Sequence, residues 1–157
     1  MSTTLVIGAS GVLAPAAAKL VRTGDTVTGV SLRRPVPTGV EHVLVDARSV
    51  SAFSSAINER CWNRAVVYAP AVSSGVLKRL DSAVEGVIVL VRTTAAVTDT
   101  VGRLELPPGT LQLGWTDAPD GKTRWHTPEE ISQAALEVLN NGRATVLGRI
   151  TPWADRP

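Results

Sequence analysis

The sequence predicts an α/β domain with a single doubly wound, mostly parallel sheet of about six to seven strands, and three observations carry that reading. Short apolar runs alternate with segments of helical spacing along most of the 157 residues. The runs are nearly uninterrupted, as in Ala65-Val66-Val67-Tyr68 and Val87-Ile88-Val89-Leu90-Val91, the pattern expected when helices cover both faces of a parallel sheet. A glycine-rich turn separates the first run from the first helix. The length fits one domain, 1–157, with one core and no separate substrate domain.

Leu5-Val6-Ile7 makes the first strand, and Gly8-Ala9-Ser10-Gly11 ends it. The helix over 12–23 has apolar residues at 13, 16, 17, 20 and 21, tolerates Pro15 in its first turn and meets Gly24 at its C-cap. Residues 26–32 are β-branched and apolar and form the second strand, closing a βαβ unit whose crossover is right-handed. A strand at 41–45, a helix at 50–59, a strand at 65–69, a short helix at 76–84 and a strand at 87–91 follow. The pattern loosens through Leu106-Pro107-Pro108-Gly109, resumes as a strand at 110–114 and reaches the turn signal Ala118-Pro119-Asp120-Gly121-Lys122. This stretch reads as a loop-rich insertion. Thr127, Pro128 and Glu130 mark the start of the last helix with a capping box, and Asn141-Gly142 marks its end. A strand at 144–147 precedes a tail whose Trp153 is expected to dock on the domain.

Sixteen Lys and Arg against 14 Asp and Glu give a formal charge of +2, too small and too scattered for a nucleic-acid binder. One cysteine, Cys61, excludes an internal disulfide and a Cys-based zinc site and suits a reducing compartment. It is expected to be a buried, inert thiol. No basic leader and no apolar run of membrane-spanning length is present, so the expected location is cytoplasmic, with no membrane partner. The two histidines lie far apart and give no metal-ligand spacing.

Gly8-Ala9-Ser10-Gly11-Val12-Leu13-Ala14 is a Gly-x-x-Gly-x-x-Ala loop between strand and helix, where a dinucleotide pyrophosphate docks in Rossmann-type sheets. Gly8 permits the tight turn, Gly11 lets the backbone approach a phosphate, and Ala14 lets helix and strand pack closely. The helix start offers N–H groups and a partial positive charge to an anion. Gly8, Ser10, Gly11, Val12 and Leu13 are therefore candidate cofactor ligands. The competing reading is a turn glycine followed by a cap glycine. The second strand ends Val30-Ser31-Leu32-Arg33-Arg34 without the acid that would bind a ribose 2′-hydroxyl. Arg33 and Arg34 point to a 2′-phosphate, and so to NADP ahead of NAD; Asp25 lies at the wrong end of that strand. Two solvated loop arginines are the alternative.

With these residues in view, the chain resembles the atypical or extended branch of the short-chain dehydrogenase/reductase superfamily, the epimerase/dehydratase-like NAD(P)-binding proteins. The resemblance implies that Asp46, after the third strand, lies near the adenine. It implies that Ala69-Pro70-Ala71 borders the adenosine, with Ala69 and Pro70 as candidate ligands. Val91-Arg92-Thr93-Thr94 resembles the family's fifth-strand segment ending in a Ser/Thr pair, and Trp125-His126-Thr127-Pro128-Glu129-Glu130 resembles the segment that opens a late helix. The family's catalysis is similar to a Tyr general acid activated by a Lys, but this chain has no Tyr-x-x-x-Lys. Its one Tyr, Tyr68, precedes Ala69-Pro70-Ala71-Val72, and Thr98 stands where the family often has the Tyr.

Candidate catalytic residues are Thr93, Thr94, Thr98 and His126, with Asp99 as a further general base. His126 has the pKa range for proton transfer; the competing reading is a surface histidine beside a capping box. His42 is expected away from the site. Trp115 and Trp125 either flank a substrate cleft or simply pack. Three functional readings follow. One is an NADP-dependent oxidoreductase acting on a small molecule, with the substrate held by the region 107–120. The others are a non-catalytic NADP(H)-sensing or accessory module, and a non-redox lyase or cyclase reusing the cleft. Homodimerisation through helices flanking the sheet is compatible with the pattern, though no apolar stripe is left over to argue it.

Overall fold

The computed structural model describes residues 2–96 and 105–157. In chain order the elements are β1 (Thr3–Ile7), α1 (Ala14–Arg22), β2 (Thr26–Ser31), β3 (Glu41–Leu44), α2 (Val50–Ile57), β4 (Arg64–Tyr68), α3 (Ser74–Ala83) and β5 (Ile88–Arg92). After these come β6 (Thr110–Leu113), β7 (Trp115–Asp117), β8 (Thr123–Trp125), α4 (Pro128–Asn141) and β9 (Thr145–Leu147). Seven strands form one parallel sheet in the order β3-β2-β1-β4-β5-β6-β9. This is the doubly wound Rossmann-type arrangement, and its strand order reverses between β1 and β4. Ile7 pairs with Val30 on one side and Val67 on the other, so the carboxyl ends of β1, β2 and β4 lie level at the switch point.

Alternation along the strands divides the core into two layers. Leu5, Ile7, Val30 and Val67 pack toward α2 and α3 with Phe53, Ile57 and Leu80. Val6, Val27, Val66 and Leu111 pack toward α1 and α4 with Leu13, Leu20, Ile131 and Leu139. Each such fully buried side chain contributes about 1.5–3 kcal/mol relative to exposure. Gly29 inside β2 answers a packing demand: a Cβ there would stand 2.7 Å from Val40 Cγ1 and 2.9 Å from Ala9 Cβ. The glycine loop can close on β2 only over a residue without a side chain.

The capping box predicted for α4 is present, with Glu130 N–H donating to Thr127 Oγ1 at 3.2 Å and Thr127 N–H to Glu130 Oε1 at 3.0 Å. Gly142 ends that helix at φ +71°. Helix α1 begins at Ala14, later than the spacing suggested, because the loop keeps 8–13 in turns. Helix α2 stops at Ile57 because Asn58 takes φ +51°. The insertion read as loop-rich contains the antiparallel pair β7–β8, joined across the predicted turn; strands of three residues are too short to show a period. Cys61 corrects the expectation of a buried thiol. It is exposed, and the next residue, Trp62, takes the buried place, only 2% exposed. Trp153 docks as expected, edge-on to Trp115 at 6.2 Å. Among the described residues no helix is long and apolar enough to cross a membrane.

Asp25 occupies the amino end of the sheet, where its carboxylate meets Arg64 Nη2 at 2.8 Å and the Thr4 hydroxyl at 2.8 Å. Burial pushes its pKa up, but these partners outweigh burial and hold it below the ordinary value. Its place at that end fits the sequence reading.

Candidate functional site

The turn over 8–13 leaves β1 with Gly8 at φ +99°, a conformation that disfavours any side chain. Gly11 N–H donates to Gly8 O at 3.1 Å and Ala14 N–H to Gly11 O at 3.0 Å. From α4, the buried Ser132 hydroxyl donates to Val12 O at 2.9 Å and ties the loop down. The N–H groups of Ser10, Val12 and Leu13 find no acceptor among the described residues. The first turn of α1 carries no acidic side chain, so its positive end is uncompensated. A Cβ on Gly11 would meet only Gly8 O, at 3.9 Å. Free donors, a positive helix end and open space in front of Gly11 fit a bound phosphate group. Leu13 serves through its N–H alone, since its side chain is fully buried.

From this loop a pocket of about 320 Å³ runs over the ends of β1, β2 and β4. Gly8, Ser10, Ser31, Leu32, Asp46, Arg48, Tyr68, Pro70 and Ala71 are among its lining residues. Asp46 and Pro70 thus line the same pocket as Gly8 and Ser10. Ala69 does not line the pocket; it opens the short 3₁₀ turn Ala69–Ala71. An adjoining open pocket of about 460 Å³ is bounded by Ser10, Leu32, Arg33, Arg34 and Arg48. The guanidinium groups of Arg33 and Arg34 have no partner among the described residues. Arg48 donates to Asp46 Oδ1 from its backbone N–H at 3.0 Å and from Nε at 3.4 Å. The backbone bond first, then the side chain, holds the Asp46 carboxyl below the usual carboxylate range.

Arg48 is a pocket residue that the sequence reading missed, because no spacing rule ties it to Arg33 and Arg34. His42 also lies nearer the site than expected. Its Nε2 is 2.6 Å from Ser31 Oγ, which donates at 2.6 Å to Arg34 O. With the hydroxyl proton committed to that carbonyl, Nε2 must be the donor. His42 thus supports the loop that carries the two arginines.

A second cavity, about 260 Å³, opens on the far side of Tyr68. Thr93 and Thr94 reach it from the end of β5, Val12 from the glycine loop, and Trp125, His126 and Ile131 from the approach to α4. Of the region 107–120 only Leu113 and Gly114 line it. The buried Gln112 Nε2 donates to Thr93 O at 3.0 Å and Leu113 O at 3.1 Å. Two carbonyl acceptors fix the direction of that amide and leave its Oε1 buried without a partner. Trp115 is fully buried and meets Trp125 edge-on at 6.3 Å; Trp125 is the one of the two that reaches the cavity.

His126 is not the surface histidine of the competing reading, for its side chain is 5% exposed. Neither ring nitrogen has a hydrogen-bond partner, and both are sealed from solvent. Nδ1 stands 3.5 Å from Glu130 Oε2, too far for more than a weak interaction, and Nε2 lies against Gly148. Glu130 is engaged elsewhere: Arg124 at 2.7 Å and the Thr127 N–H pull its pKa down to about 2. The candidates Thr98 and Asp99 lie outside the described residues.

The sequence matches no known family model and no curated protein. The structure is similar to that of a candidate betaketoacyl-ACP reductase, with TM-score 0.69 and 16% identity over 94% of this chain and 96% of the other. It is similar to BdcA in complex with NADPH, with TM-score 0.63 and 13% identity over 93% and 92% of the two chains. It also resembles UDP-N-acetylglucosamine 4-epimerase from Bacillus cereus, with TM-score 0.59 and 11% identity over 95% and 75%. At these identities the likeness establishes the Rossmann-type fold.

Proposed function

We propose that the chain binds NADP(H) along its glycine loop and is an oxidoreductase acting on a small molecule in the cavity beyond Tyr68. The carrying observation is the loop itself, at the switch point of the sheet, with free N–H groups at 10, 12 and 13 and an uncompensated helix end. In this reading the loop holds the pyrophosphate, and Asp46, Pro70 and Ala71 border the adenosine. Arg33, Arg34 and Arg48 receive the 2′-phosphate, which favours NADP over NAD. The cofactor supplies hydride chemistry. The chain's own part is to orient the ring end over β5 and to offer the Thr93 and Thr94 hydroxyls to a substrate oxygen. Similarity to a structure solved with NADPH supports the choice of a nicotinamide cofactor.

Calorimetric titration with NADP⁺, NADPH, NAD⁺ and NADH tests this reading: the expected order is NADP(H) well ahead of NAD(H), and no binding of any of the four removes it. A second reading, an NADP(H)-sensing or accessory module without turnover, draws on the missing Tyr-x-x-x-Lys. A Thr93→Ala, Thr94→Ala double variant that loses turnover while keeping cofactor affinity favours the enzyme; a wild-type protein that binds NADPH yet consumes it with no carbonyl substrate favours the module.

A further inference from the structure

No charged side chain lines the cavity beyond Tyr68 among the described residues. Its walls are largely Val12, Leu113, Trp125 and Ile131, and the polar side-chain groups that its lining residues carry, His126 aside, are the hydroxyls of Tyr68, Thr93 and Thr94 and the indole N–H of Trp125. His126 adds no available donor, because both of its nitrogens are sealed. The nucleotide half is the reverse, with Asp46 and three arginines around it. A carboxylate or phosphate entering the cavity would shed hydration and meet no cation among the described residues, a loss of many-fold in affinity. A neutral carbonyl asks only for one or two hydrogen bonds, which hydroxyls supply.

Tyr68 is the chain's one tyrosine and the last residue of β4, and it lines both halves of the cleft. Its phenol makes no hydrogen bond within the described residues and is not sealed from solvent. The position is fixed from below by Gly8, where any Cβ would come within 3.0 Å of Tyr68 Cβ. A phenol with no partner among the described residues, carried by a residue that lines the cavity, is a donor a ligand there can use.

Resting on the reading that a nucleotide's reactive end reaches this cavity, we infer that its substrates are small, uncharged aldehydes or ketones with an apolar or aromatic body. The Tyr68 hydroxyl donates to the carbonyl oxygen. At about 260 Å³ the cavity falls below the roughly 300–1,000 Å³ of sites for drug-sized ligands, so shared with a nicotinamide ring it admits only a compact compound.

Three probes of one shape separate the contributions: acetophenone, benzoylformate, which adds a carboxylate, and ethylbenzene, which lacks the oxygen. Dissociation constants are read by ligand-observed NMR on the full chain, with and without saturating NADP⁺, beside a separate NADP⁺ titration. The expected result is acetophenone binding about tenfold or more tighter than benzoylformate. Acetophenone should also exceed ethylbenzene by about threefold to tenfold, the worth of one neutral hydrogen bond, and Tyr68→Phe should erase that margin. Benzoylformate binding as well as acetophenone, acetophenone not binding at all, or a margin over ethylbenzene that survives Tyr68→Phe overturns the inference. The wild-type comparison of acetophenone with benzoylformate needs no variant. Acetophenone selectivity without any NADP⁺ binding would remove the nucleotide reading and leave the chemistry of the cavity standing.

Discussion

The glycine-loop half of the cleft is built from backbone and cations, whereas the cavity across Tyr68 is built from apolar side chains and hydroxyls. In the first half the working groups are N–H donors at 10, 12 and 13, held by Gly8 and Gly11, with Arg33, Arg34 and Arg48 beyond them. In the second they are side chains drawn from Val12, Tyr68, Thr93, Leu113, Trp125 and Ile131, which no short stretch of sequence contains. A site made by backbone tolerates side-chain change except where a Cβ would intrude. A site made by side chains depends on the packing that brings distant residues together.

The largest effect expected from this difference is on the cavity side. Trp115 is fully buried at the joint between β7, Trp125 and Trp153. Trp115→Ala should cost about 3–5 kcal/mol in denaturant unfolding, and a loss below about 1 kcal/mol would show that the joint does not hold this half together. Next comes a change on the backbone side: Gly11→Trp fills the open space before the loop and should weaken NADP⁺ binding by about a hundredfold or more. Its unfolding free energy should stay within about 0.5 kcal/mol of wild type, since only Gly8 O lies near. Equal losses of binding and stability would erase the contrast.

A smaller effect is expected from Arg33→Ala with Arg34→Ala. Removing charge-assisted bonds worth about 1.5–3 kcal/mol should cut the preference for NADP⁺ over NAD⁺ by about tenfold to a hundredfold. An unchanged ratio of the two affinities would leave those arginines as solvated loop residues. The smallest effect concerns Glu130 beside the cavity. Its folded pKa of about 2 lies below the ordinary 4.5, so its contribution is full above about pH 4.5 and is lost as pH falls toward 2. Because Glu130 is partly exposed, the contribution is about 1 kcal/mol or less. Wild-type stability should therefore fall by more than half of that amount beyond any fall in Glu130→Gln stability between pH 6 and pH 3, in unfolding curves taken at each pH.

Legibility in the sequence follows the same division. The βαβ start, the capping box at Thr127 and Glu130 and the parallel strands were readable because each follows a local rule of period or spacing. The glycine loop was readable for the same reason: positive φ and close approach demand glycine at fixed positions. Arg48, Tyr68, Gln112 and Ser132 were not, since each reaches the site only through tertiary packing. The burial of Gln112 against the Thr93 carbonyl and the bond from Ser132 to Val12, 120 positions away, leave no local trace. Cys61 shows the limit of residue-type expectation, for the adjacent Trp62 outcompeted it for the one buried place.

We propose that 8–13 and 31–34 form a single nucleotide cradle at the switch point. The most direct measurement is an NMR titration of the ¹⁵N-labelled chain with NADP⁺, following every backbone amide. The largest shifts are expected on Gly8, Ser10, Gly11, Val12 and Leu13, then on Arg33, Arg34 and Arg48, with NAD⁺ moving the first group more weakly and sparing the second. Shifts absent from the glycine loop, or NAD⁺ and NADP⁺ moving Arg33 and Arg34 alike, would contradict it.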